Sequence, residues 1–110
     1  MTPAQLQNVL DKAAPGFSEY CGSEANLFAS DNVGGVFAAC STYVQARPFP
    51  PSTWRAIAEF LNRVVGGADD DLDNAACACF IENLAKPQHP LRSLLTGQAL
   101  AIWEQWEPGA

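Results

Sequence analysis

Two cysteines stand one residue apart in "NAACACFIENL", Asn74 to Leu84. Paired thiols can hold a metal ion or run redox chemistry. On a helix each residue turns its side chain by about 100°, which sets Cys77 and Cys79 roughly 160° apart around the axis. They cannot reach one ion unless the helix unwinds. Zinc takes four ligands, usually in C-x2–4-C pairs. The remaining helpers are Cys21, Cys40 and the lone histidine, His89, and Cys40 falls on the apolar stripe of its own helix. Free cysteine is among the most buried residue types, so packing is the expected role. A metal- or thiol-dependent enzyme or sensor built on Cys21, Cys40, Cys77 and Cys79 is the competing reading.

The second group with chemical potential is acidic. "ADDDLDN" holds Asp69, Asp70, Asp71 and Asp73. An EF-hand loop counted from Asp69 would need glycine at its sixth position and glutamate at its twelfth. Those positions are Asn74 and Phe80, which rejects calcium. Carboxylates here can cap a helix and meet the positive end of its dipole. The functional alternative is an acidic epitope for a basic partner. Glu82 belongs to the same helix, and Glu19, Glu24 and Asp31 form a second acidic region. Beside Glu82, Asn83 falls in the apolar arc. Its amide either satisfies loop backbone near the helix end or forms a polar site with Glu82 in a cleft.

Other catalytic patterns are missing from the sequence. His89 precedes Pro90, which biases it to an extended loop, where a surface position is expected. No Ser or Cys sits in a recognisable His and carboxylate constellation. "NVGG" and "VVGG" match neither phosphate-binding glycine motif. The reading assigns no catalytic residue, no metal and no cofactor.

The elements that would position these groups are helical. Thr2-Pro3-Ala4-Gln5 is a capping box with proline at the first helical position. Leu6, Val9, Leu10 and Ala13 continue it at helical spacing, and Pro15-Gly16 ends it. Phe17 to Ala29 is ambiguous, with a short helix expected from Glu24 to Ala29 capped by Ser23. Ser30 or Asp31 is the expected cap of the next helix, with Val33, Val36, Phe37, Cys40 and Val44 as its stripe. Gly34-Gly35 weakens its first turn but permits close approach by a neighbour. After the stiff "ARPFPPS", Ser52 is expected to cap a helix bearing Trp54, Ile57, Ala58, Leu61, Val64 and Val65, stopped by Gly66-Gly67.

The next helix runs from about Asp70 to Leu84. Leu72, Ala76, Cys77, Cys79, Phe80, Ile81 and Leu84 cover an arc of roughly 200° on it, twice the stripe of a surface helix. That makes it the expected central element, with Ala75, Ala78 and Glu82 on its small open face. "HPLRSLL" reads as one short helical turn. Thr96 caps the last helix, with Leu95 and Leu100 as a hydrophobic staple and Ala99, Ile102, Trp103 and Trp106 as the stripe. No strand alternation competes. The expected architecture is all-α: one domain over residues 1–110, with five to six helices packed as antiparallel αα-hairpins around a central buried helix.

Bulk composition narrows the partners. The 110 residues are 48% hydrophobic and only 16% charged, which argues for a packed core rather than disorder. The formal net charge is −6, and the basic residues are scattered, so nucleic acid and anionic membrane surfaces are disfavoured. No signal peptide or membrane span is read. A soluble, cytoplasmic protein with reduced cysteines is expected.

The C-terminal half resembles a group of small, uncharacterised bacterial helical domains. "CFIENL", Cys79 to Leu84, followed by "HPLRSLLTGQALAIWEQW", His89 to Trp106, carries the resemblance, together with the preceding "WRAIAEFLNRVVGGADDDLDNA". Families of this kind are similar to the immunity proteins encoded beside polymorphic toxins, an analogy of fold and context. The expected function is then a small acidic protein-binding domain. In its most concrete form it is an immunity protein that occludes a basic toxin domain acting in the cytoplasm. A helical adaptor subunit without a toxin is the third reading.

Overall fold

The capping box forms at the start of the chain. Thr2 Oγ1 accepts from the Gln5 N–H at 3.1 Å, and Gln5 Oε1 accepts from the Thr2 N–H at 2.8 Å. Helix α1 follows, Pro3–Ala13, burying Leu6, Leu10 and Ala13. The computed structural model describes residues 1–23 and 32–108. Among these every regular element is helical: α2 (Phe17–Ser23), α3 (Val33–Gln45), α4 (Pro51–Val64), α5 (Asp70–Ala75), a π-helical segment (Ala76–Ile81), α6 (Glu82–Leu84), a 3-10 turn (Pro90–Ser93) and α7 (Gly97–Trp106). Since 70–84 is one continuous run, the described residues form six helices in an all-α globule.

Several ends differ from the sequence reading. Phe17 to Ser23 is helical despite Gly22, with the Ser18 N–H donating to Asp11 Oδ1 of α1 at 2.9 Å. The helix expected from Glu24 to Ala29 and the Ser23 cap lie outside what is described. So do Ser30 and Asp31, and the cap expected from them belongs to Asn32, whose Oδ1 accepts from the Gly35 N–H at 2.7 Å. Ser52 does not cap α4, because the helix starts one residue earlier, at Pro51, without a side-chain cap. Pro51 has no N–H to be capped and its fixed φ already suits the first turn. Thr96 holds the N-cap position of α7, but its hydroxyl caps nothing. Its N–H instead donates to Asn62 Oδ1 of α4 at 2.9 Å, while Asn62 Nδ2 donates to the Leu94 carbonyl at 3.2 Å. One amide thus ties the start of α7 to α4.

The run from 70 to 84 is central, as its composition requires, but it is not a regular α-helix. Through the π segment the Glu82 N–H reaches back to the Cys77 carbonyl, five residues away. A π turn takes more residues per revolution than an α turn, so a 100° projection loses phase across it. Ala75, expected on the open face, is buried, as are Ala76, Phe80, Ile81 and Leu84. Cys77 and Cys79, expected within the buried arc, are only half-buried, and Asn83 is exposed rather than inside.

The π segment packs chiefly on α3, while α4 packs on α1, α7 and the 3-10 turn. Phe37 of α3 is the pivot of the core: its ring centroid lies 5.9 Å from Phe80 and 6.3 Å from Phe60 of α4. Gly34 faces Cys79, but its tightest neighbour is the cap of its own helix rather than another helix. A Cβ there would stand 3.4 Å from Cys79 Sγ and 3.1 Å from the capping Asn32 Oδ1. Of the three tryptophans, Trp54 and Trp103 are buried as expected, but Trp106 is 45% exposed.

Candidate interaction site

The four aspartates divide into two roles. Asp69 is the N-cap of α5: its Oδ1 accepts from the Leu72 N–H at 3.1 Å, and its Oδ2 pairs with the Met1 ammonium at 3.1 Å. The Leu72 hydrogen bond, then the ammonium, holds this carboxyl below the usual carboxylate range. Asp73 Oδ1 accepts from the Gly66 N–H at 2.9 Å. Gly66 has φ +77, a left-handed conformation that suits glycine at the end of α4. Asp73 therefore ties the exit of α4 to the first turn of α5, and it also lies 3.7 Å from the Cys77 thiol.

Asp70 and Asp71 are exposed, and neither makes an ion pair among the described residues. Asp71 and Asp69 line an open groove of about 470 Å³, whose other walls include Met1, Asn32, Val33 and Gly34. This groove joins the starts of α1, α3 and α5. Glu19 and Glu82 are exposed on α2 and α6 but do not line it. Glu24 and Asp31 lie outside the described residues. Of the described acids singled out in sequence, Asp69, Asp70, Asp71 and Asp73 share the start of α5, and Asp70 and Asp71 make no side-chain hydrogen bond or ion pair among the described residues.

Asn83 serves the π segment and α3. Its Nδ2 donates to the Cys79 carbonyl at 2.9 Å and lies 3.3 Å from Ser41 Oγ, which itself donates to the Ala38 carbonyl at 2.8 Å. The amide thus serves backbone of its own helical run rather than the loop expected, from an exposed position, and Glu82 takes no part.

Burial raises all four thiols above their ordinary range. Cys40, fully enclosed, is raised furthest, and Cys77 is pushed up to about 11 by burial and then by Asp73. Cys21 and Cys79 are raised by burial first, with Asp11 and Glu82 adding to it. A protonated thiol is a poor nucleophile and a poor ligand. Among the described residues no three His, Cys, Asp or Glu side chains stand together as a metal site.

The sequence reading missed His89. It is not a loose surface residue but the N-cap of the 3-10 turn, with Nδ1 accepting from the Leu91 N–H at 3.1 Å. Its ring lies between Trp54 at 5.0 Å and Trp103 at 5.2 Å. Burial, then nearby Lys86, pushes its pKa down from 6.5 to about 4. The signal available in sequence was its place immediately before a proline that opens a helical turn.

This gives a pH prediction. The unfolded chain protonates His89 near 6.5 and the folded chain only near 4. Stability from this group is complete above pH 6.5 and is lost as pH falls toward 4. Allowing for the ring's partial exposure, the loss amounts to about 1–2 kcal/mol. Urea unfolding at pH 7 and pH 4.5 checks it, with His89→Asn expected to lose that part of the acid sensitivity while asparagine keeps the cap.

Compared with known proteins, the chain matches no family model, no curated protein and no solved structure. The class its fold defines is an all-α domain, and no helix among the described residues is long and apolar enough to cross a membrane.

Proposed function

We propose that this chain is a small acidic protein-binding domain, and most concretely an immunity protein that neutralises a cytoplasmic toxin by covering its active site. One observation carries the reading: Asp70 and Asp71 are exposed in the first turn of α5 with no ion pair among the described residues, Asp71 lines the groove there, and Asp69 and Asp73 hold the backbone that presents them. Side chains fixed on a braced helix start lose little freedom on binding. A net charge of −6 favours a basic partner and fast, steered encounter. Thiol chemistry is the weaker reading, because burial keeps the four cysteines protonated.

The test is co-expression with the product of the neighbouring gene, scored by co-purification and by growth protection. Asp70→Asn with Asp71→Asn is expected to weaken binding by about tenfold or more, since close charge pairs couple by roughly 1.5 kcal/mol upward, while costing at most about 1–2 kcal/mol of stability at the start of α5. Unchanged binding and protection in that double variant would remove this surface from the proposal. Failure to co-purify or protect at all would remove the immunity reading.

A further inference from the structure

The face of α4 that carries Arg55 bears a second depression, sharing no residue with the acidic groove. Phe49, Pro51, Trp54, Pro90 and Leu94 make most of its wall, Arg55 lies on its edge, and its volume is about 400 Å³. A smaller depression of about 170 Å³ adjoins it, bounded by Arg55, Leu94, Ala58 and Glu59. Because the two share Arg55 and Leu94, they form one open track along α4. Residues 51 to 59 of a helix span about 12 Å at 1.5 Å per residue, the length of roughly four residues of extended chain. An open track of this shape suits an extended peptide better than a small molecule, which needs most of its surface enclosed.

Two features make the track prepared rather than incidental. Its aromatic wall is fixed, since the Trp54 ring meets Phe49 edge-on at 5.9 Å and His89 edge-on at 5.0 Å. Its charge is unspent. Arg92, on the neighbouring 3-10 turn, is engaged by both Glu104 and Glu107, whereas Arg55 makes no ion pair among the described residues, even with Glu59 one turn along α4. An exposed guanidinium shared by the two hollows, on a chain of net charge −6, complements a carboxylate flanked by apolar groups, with Glu59 bordering the far end of the smaller hollow.

We propose that this track binds an extended segment of a partner protein in which one Asp or Glu is flanked by apolar residues. The carboxylate sits on Arg55, and the apolar side chains fill the hollows beside Trp54 and beside Ala58. Its charge preference is opposite to that of the acidic groove, so the two surfaces can be tested separately.

Selection of phage-displayed random seven-residue peptides on the full chain is the experiment. Enriched peptides are expected to carry an Asp or Glu between apolar residues. A synthetic copy of the strongest should bind at least tenfold more weakly to Arg55→Gln, with the same loss when the peptide's acid becomes the amide. Leu94→Asp, at a half-buried position, should also abolish binding, with circular dichroism confirming that both variants fold. The proposal is overturned by a selection that yields no binder or no acidic preference, or by affinity within twofold in Arg55→Gln. It is equally overturned if the binders depend on Asp71 instead, or if sedimentation shows Arg55-dependent self-association, which would assign the track to a second copy of the chain.

Discussion

Replacing Trp103 with alanine is expected to remove about 3–5 kcal/mol of stability, the range for truncating a fully buried tryptophan. Domains of this size have roughly 5–15 kcal/mol in total, so the variant should be marginal or unfolded. The ring is wholly buried, with its Nε1 donating to the Lys86 carbonyl at 3.3 Å and its centroid 5.2 Å from that of His89 in a tilted pair. Its loss opens a cavity, leaves that carbonyl without its indole donor and frees one side of the histidine. Trp106, three residues on and on the same helix, is 45% exposed and serves as the control. Trp106→Ala should cost under about 1 kcal/mol, as surface substitutions do. Urea unfolding of the two variants reads the difference. Equal costs would mean that α7 is not seated by Trp103.

Phe80→Ala should rank beside it, again at about 3–5 kcal/mol. Phe80 is fully buried in the π segment and packs on Phe37 of α3. Its neighbours define the contrast. Cys77 and Cys79 flank the same stretch yet are half-buried, and Cys77→Ser should cost no more than about 1 kcal/mol, since the new hydroxyl can still donate to Asp73. A large cost at Cys77 with a small one at Phe80 would reverse the picture of which side of the 70–84 run is core. Chemical unfolding midpoints for the two variants, measured together with wild type, decide it.

Most of the architecture is legible in the sequence because it depends on local rules. The capping box at Thr2 and Gln5, the aspartate cap at Asp69 and the glycine stop at Gly66 each need only a few adjacent residues, and each forms. The stripe of α4 needs only helical periodicity, and Trp54, Ile57, Ala58 and Leu61 are buried on it. Misplacements after residue 76 in the 70–84 run originate in the π segment. Periodicity arguments assume a fixed angle per residue, and a single wide turn shifts the phase of everything beyond it. For that reason Asn83, beyond the wide turn, is placed inside when it is exposed. Ala75 precedes the turn and is buried with Leu72, one helical turn earlier on the same face of α5.

Positions fixed by long-range contacts are the other class that local reading misses. His89 becomes a half-buried cap only because α4 and α7 bring Trp54 and Trp103 to either side of it. The candidate site was legible as a cluster but not in its division of labour. Composition picks out Asp69, Asp70, Asp71 and Asp73 together. The Asp69 cap on Leu72 is local, but its second oxygen is taken by Met1, 68 residues earlier, and Asp73 is taken by the backbone at Gly66, seven residues back.

The acidic surface at Asp70 and Asp71 is the centre of the functional account, and the salt dependence of association tests it most directly. The association rate constant with the proposed partner, the neighbouring gene's product, would be measured at about 50 and 300 mM salt, across which the screening length shortens from about 14 to about 6 Å. Wild type is predicted to slow by tenfold or more as salt rises, and Asp70→Asn with Asp71→Asn to be slow throughout and much less sensitive to salt. Equal rates and equal salt dependence in the two proteins would contradict the account.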